Sequence, residues 1–100
     1  MRPLATQFKK DGFDHKVICR EKMIAIVEKT RKDCATPSYE VVRVQTHQGY
    51  EIMGRVVEPS EFMPRTAEWG IHGFTYIDLE SAEKKFRQML RAKTPDTTAE

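Results

Sequence analysis

Near the C-terminal end, Leu79, Ala82, Phe86, Met89 and Leu90 recur at helical spacing and draw a single apolar stripe. The spacing predicts a helix over Leu79 to Lys93, with Asp78 as N-cap and Glu80 and Glu83 near its positive end. Arg87, Arg91 and Lys93 fall where the last carbonyls are unsatisfied, and Pro95 follows as a stop. Just before it, Phe74, Thr75, Tyr76 and Ile77 are strand-favouring types that feed the helix directly. Gly70 and Gly73 let the backbone bend around Trp69.

Upstream the period changes to two. Asp11-Gly12 is a turn signal, followed by apolar-rich runs Phe13 to Arg20 and Met23 to Lys29, which form a hairpin around Glu21-Lys22. In the second run Ile24 and Ile26 alternate with Met23, Ala25 and Val27, so both faces are apolar and the strand is central. Met1 to Lys10 is a loose lead-in or an edge strand. Thr30 to Ser38 breaks both periods and reads as a loop. Tyr39 to Gln45 is a third strand, with Val42 and Val44 facing inward. Gly49 to Met53 reads as a short continuation after a turn. Gly54 to Glu68 contains Pro59 and Pro64 yet is too apolar for a free linker. It reads as an ordered, partly packed loop with a short helical turn near Ser60.

These elements make an α+β fold, an antiparallel sheet of about three to five strands packed on one C-terminal helix as a two-layer sandwich. One domain spans 1–93, and 94–100 is a disordered polar tail. The helix covers one sheet face. The other is solvated, covered by the Gly54 to Glu68 loop, or covered by a second copy.

Composition narrows the function classes mainly by exclusion. A net charge of +2, from 17 basic and 15 acidic residues, makes no overall case for nucleic acid or membrane, so any basic patch is local. No apolar run approaches the length of a membrane span. Cys19 and Cys34 have no C-x-x-C spacing and no leader-like segment precedes them, which points to reduced thiols in a cytoplasmic protein. Cys19 in its strand is a small buried hydrophobe, and Cys34 in a polar loop is the more reactive thiol. His15, His47 and His72 lack metal-ligand spacing and read as surface or hairpin-turn residues. There is no glycine-rich phosphate loop and no nucleophile elbow. No cofactor, metal or catalytic constellation is expected.

The strand pair followed by Glu68-Trp69-Gly70-x-x-Gly73-Phe74-x-Tyr76 and the Asp78-Leu79-Glu80 helix resembles small uncharacterised proteins of bacteria and their phages. That resemblance implies the sheet-then-helix form and no assigned activity. Over about thirty residues, Trp69-Gly70 and the helix after Asp78 are also similar to the end of WGR domains, nucleic-acid-contacting modules of certain poly(ADP-ribose) polymerases. Ile71 stands where the WGR signature has arginine.

Two readings follow. One is a non-catalytic protein-interaction module, self-associating as a homodimer through a sheet edge or an uncovered sheet face. The other is a nucleic-acid-binding accessory protein that uses Lys84, Arg87 and Arg91 on the helix and Trp69, if the indole is an exposed platform rather than core. A third option is a small-ligand pocket under the Gly54 to Glu68 loop, lined by Tyr50, Phe62 and Trp69.

Overall fold

In a computed structural model that describes residues 1–92, without the side chains of Cys34, Ala35 and Thr66, the chain is an α+β fold. Its strands are β1 (Gln7–Lys10), β2 (Phe13–Glu21), β3 (Ile24–Arg31), β4 (Cys34–Arg43), β5 (Gln45–His47), β6 (Tyr50–Ile52), β7 (Arg55–Val57), β8 (Ser60–Phe62) and β9 (Gly73–Tyr76). A short 3₁₀ turn at Thr66–Glu68 precedes β9, and helix α1 spans Leu79–Arg91. Lys93 and the tail expected to be disordered lie outside the described residues. A five-stranded antiparallel sheet runs β1-β2-β3-β4-β9, while β5-β8 and β6-β7 form two further pairs.

The doubly apolar run of β3 does sit at the middle of the sheet. Ile24 and Ile26, with Val41 of β4, pack against Ala82 and Met89 of α1, with Phe74, Tyr76, Phe86 and Leu90 around them. Ala25, Val27, Val42 and Val44 point the other way, to Met63, Leu4, Phe8 and Trp69. The second sheet face is therefore covered, by the 63–69 segment and the N-terminal residues. Of the expected helix stripe, Ala82 and Met89 are the buried members; Leu79 lies at its border, 38% exposed. Asp78 caps the helix as expected, its Oδ2 accepting from the Ser81 N–H at 2.8 Å.

Three expectations change. Thr30 to Ser38 is not a loop: β3 continues to Arg31 and β4 starts at Cys34, leaving Lys32-Asp33 as a tight turn. Arg31 grips Asp33 through two short bonds of 2.7 and 2.6 Å across that turn. Pro37 fits in β4 because β9 pairs only with Tyr39 to Val42, so at Pro37 no strand on that side requires an N–H. Gly54 to Glu68 is not simply a loop either, since β7 and β8 pair back on β6 and β5, and Ser60 begins a strand rather than a helical turn. Cys19 is exposed, not buried. The β2–β3 register shifts between Val17 and Cys19, which turns the strand, and the main contacts of α1 are with β3, β4 and β9.

Trp69 is held by a close approach. A Cβ on Gly73 would lie 2.6 Å from two indole carbons, so the ring rests directly on the start of β9. Its Nε1–H donates to Thr75 Oγ1 at 2.9 Å. Gly73→Ala is expected to lift the indole and cost about 1–3 kcal/mol, the range for overpacking a fitted contact. A urea titration followed through Trp69 emission measures both effects.

Candidate functional site

The four candidate contact residues do not form one surface. Lys84 and Arg91 line an open cleft beside α1 with Tyr76, Ser81, Lys85 and Gln88, a lining rich in donors and free of carboxylates. Arg87 is exposed but stands outside this cleft. Trp69 belongs to the cluster on the opposite sheet face, with Val42 and Met63, and is half-buried. The indole is thus chiefly a packing residue, and no joint site with the helix cations exists.

Large exposed apolar side chains concentrate elsewhere. β6 and β7 form a small hairpin whose Tyr50, Ile52 and Val56 are 54%, 54% and 76% exposed, and Met53 at its tip is 95% exposed. The turn places Met53 at φ 50° and Gly54 at φ 78°, the two consecutive positive angles of a type I′ hairpin turn. Asparagine, aspartate or glycine normally fills the first of these positions, and a methionine there costs about 1 kcal/mol. The base of this arm is fixed by shape. Gly49, at φ +91°, has no room for a Cβ, which would lie 2.9 Å from the Val57 carbonyl oxygen.

Near that base His47 and Ser60 look like a base and a nucleophile, 2.7 Å apart. The hydrogen bonds say otherwise. The Gly49 N–H donates to His47 Nδ1 at 3.1 Å, so in the neutral ring Nε2 carries the proton and donates it to the Ser60 oxygen. In that arrangement the imidazole cannot take a proton from Ser60, and the pair serves to join β5 to β8.

A clamp holds this region to the main sheet. Arg20 of β2 reaches both carboxylate oxygens of Glu61 on β8, at 2.7 and 2.8 Å, and the Leu4 N–H donates to the same carboxylate at 2.9 Å. The guanidinium bonds first, and the Leu4 amide second, hold the Glu61 carboxyl well below its ordinary 4.5, at about 2.

The most concentrated polar chemistry lies where the sequence reading did not place it. A cavity of about 260 Å³ opens on the sheet face under the 63–69 segment, lined by Met63, Pro64, Trp69 and Thr75 together with His15, Lys29 and Glu40, with Lys10 and Asp11 also in its wall. Of Tyr50, Phe62 and Trp69, the residues considered for a pocket under the Gly54 to Glu68 segment, only Trp69 lines this cavity. His15 is buried, not a surface histidine, and so is Glu40. Register explains the gathering. His15 is directly opposite Lys29, and Glu40 lies diagonal to Lys29, two residues beyond Ser38, its direct partner. Glu40 Oε1 is 3.7 Å from His15 Nε2 and Glu40 Oε2 is 3.5 Å from Lys29 Nζ. The Phe13 carbonyl, 3.1 Å from His15 Nδ1, can only accept, so Nδ1 carries a proton and Nε2 faces Glu40. Phe8 stacks on the imidazole at 4.8 Å, and Lys29 Nζ sits 4.3 Å from the Phe13 ring centre. A signal existed: Glu40 shares the alternation phase of Val42 and Val44, and a charge in phase with an inward face marks a polar group beneath the surface.

Among the described residues no group of three or more His, Cys, Asp or Glu side chains could hold a metal ion, and no helix is long and apolar enough to cross a membrane. The Cys34 side chain lies outside the described residues. Comparison with known family models, curated proteins and solved structures gives no match.

Because Glu61 is more acidic folded than unfolded, its clamp stabilises fully above pH 4.5 and that contribution is lost as the pH falls to about 2. Glu61→Gln is expected to lower stability by about 1.5 kcal/mol at neutral pH, the scale of a charged hydrogen bond. The same change flattens the acid limb of a plot of urea midpoint against pH.

Proposed function

We propose that the protein is a non-catalytic binding module of the cytoplasm, and that its partner is another copy of itself docked through the β6–β7 arm. The observation that carries this reading is Met53, 95% exposed and held at φ 50°. A fully exposed thioether in a disfavoured conformation gives the isolated chain no stability. Its presence makes sense if the side chain is covered by something else. Tyr50 and Ile52 are exposed on one face of the arm and Val56 on the other, and among the described strands β6 and β7 pair only with each other, leaving backbone edges for a further strand.

A second reading rests on the cleft of Tyr76, Ser81, Lys84, Lys85, Gln88 and Arg91, whose lack of carboxylates favours a polyanion such as a nucleic-acid strand. It draws on the helix without Trp69. Binding of labelled DNA or RNA that collapses between about 50 and 200 mM salt, and on changing Lys84 and Arg91 to Ala, supports this reading.

The arm makes an unusual prediction. Met53→Asn relieves the turn and should raise the thermal midpoint, by the equivalent of about 1 kcal/mol, while reducing self-association. Light-scattering mass at two concentrations, in reductant because Cys19 is exposed, reads the second effect. Ile52→Asp should also give a monomer. A wild-type monomer throughout the concentration range, or an undiminished dimer in both variants, rejects the arm as a self-docking surface.

A further inference from the structure

We propose that the cavity under the 63–69 segment is a binding site for a small planar heterocycle with a lactam edge, that is, a ring N–H beside a ring C=O. The arm reading is not involved, since none of Tyr50, Ile52, Met53 and Val56 lines this cavity.

Size and charge narrow the ligand first. At about 260 Å³ the space lies below the roughly 300–1,000 Å³ of most drug-sized sites, so it suits one or two rings. Lys10 and Lys29 are balanced by Asp11 and Glu40 in its wall, with His15 beside them. A multiply charged anion or cation gains little from such a lining, whereas an uncharged polar molecule fits it.

Hydrogen-bonding capacity then selects the edge. The Glu40 side chain is 7% exposed, yet Lys29 Nζ stands 3.5 Å and His15 Nε2 3.7 Å from it, beyond the roughly 2.7–2.9 Å of a direct charged bond. The carboxylate therefore retains acceptor capacity, and a buried carboxylate without close donors is costly. Lys29 Nζ, 3.5 Å from it, has N–H groups to give. An acceptor and a donor side by side are the complement of a cis-amide edge, with the ligand N–H on Glu40 and its C=O on Lys29.

The walls select the rest. Trp69, Met63 and Pro64 are apolar contacts for ring faces, and the indole N–H is already committed to Thr75, so the wall it offers is hydrocarbon. Thr75, whose oxygen accepts that bond, keeps its own O–H to donate to a further ring acceptor.

Trp69 is the single tryptophan, so its emission reports on the cavity directly. The test titrates the full chain with uracil and hypoxanthine, which carry the edge, and with 1,3-dimethyluracil and pyrimidine, neither of which has a ring N–H to give. Saturable changes at millimolar or lower concentrations are expected for the first two, with the others weaker by about tenfold, the loss of one hydrogen bond. Lys29→Met, which removes the donor, and Glu40→Gln, which removes the charge from the acceptor, should each weaken uracil binding by about the same factor. No saturable response to either lactam overturns the proposal. So does equal binding of 1,3-dimethyluracil and pyrimidine, which would reduce the cavity to an apolar surface. If Glu40→Gln does not fold, Lys29→Met decides, because that side chain is 26% exposed and its loss leaves the core intact. Unchanged uracil affinity in folded Lys29→Met also overturns the assignment.

Discussion

Burial of the central strands on both faces is the constraint from which the rest of the molecule follows. Ile26 and Val41 face one way, Val27 and Val42 the other, and all four are 2% exposed or less. A sheet that is apolar on both sides requires two covers. Helix α1 supplies one with Ala82, Met89 and Phe86, and the chain between β8 and β9 supplies the other with Met63 and Trp69. The second cover is irregular backbone, and it is tied down by side chains rather than by a ladder. Trp69 on Gly73, the indole N–H on Thr75 and the Arg20–Glu61 clamp do this work.

An irregular cover leaves space that a helix would have filled, and polar residues of the sheet occupy its floor. Over Ala25 and its partner Val42 this face is purely apolar. From Glu40, opposite Val27, toward the β1–β2 turn it carries His15, Lys29 and Glu40 along the cavity floor. A buried carboxylate is unfavourable unless an opposite charge is near, and the diagonal cross-strand position of Lys29 supplies one to Glu40. The cavity and its charge balance are thus consequences of how the second face is closed.

The β6–β7 arm obeys the opposite logic. It is too small to have a core of its own, and its apolar residues are turned to solvent. Its conformation is set locally, by the positive angles at Gly49, Met53 and Gly54. A segment with locally fixed geometry and little internal burial is suited to contact, because docking costs it little ordering. The arm and the cavity are therefore physically separate features of the fold.

Much of this architecture was legible from the order of residues. Asp78, the Ala82-Phe86-Met89 spacing, the two β-rich runs flanking Glu21-Lys22 and the two-sided run around Ile26 gave the helix, the β2–β3 hairpin and the central strand, because each depends on neighbours a few residues away. Local pattern misled at Thr30 to Ser38, where a proline and charges suggested a loop; only the short reach of β9 makes Pro37 acceptable in a strand. It also misled at Cys19, whose side of β2 is decided by a bulge and by where α1 makes its main contacts. The supposed partnership of Lys84, Arg87 and Arg91 with Trp69 required knowing which sheet face each occupies. Likewise His15, Lys29 and Glu40, spread over three strands, carry no common motif. Only pairing in register brings them to one floor, and pairing is a long-range property that local sequence does not encode on its own.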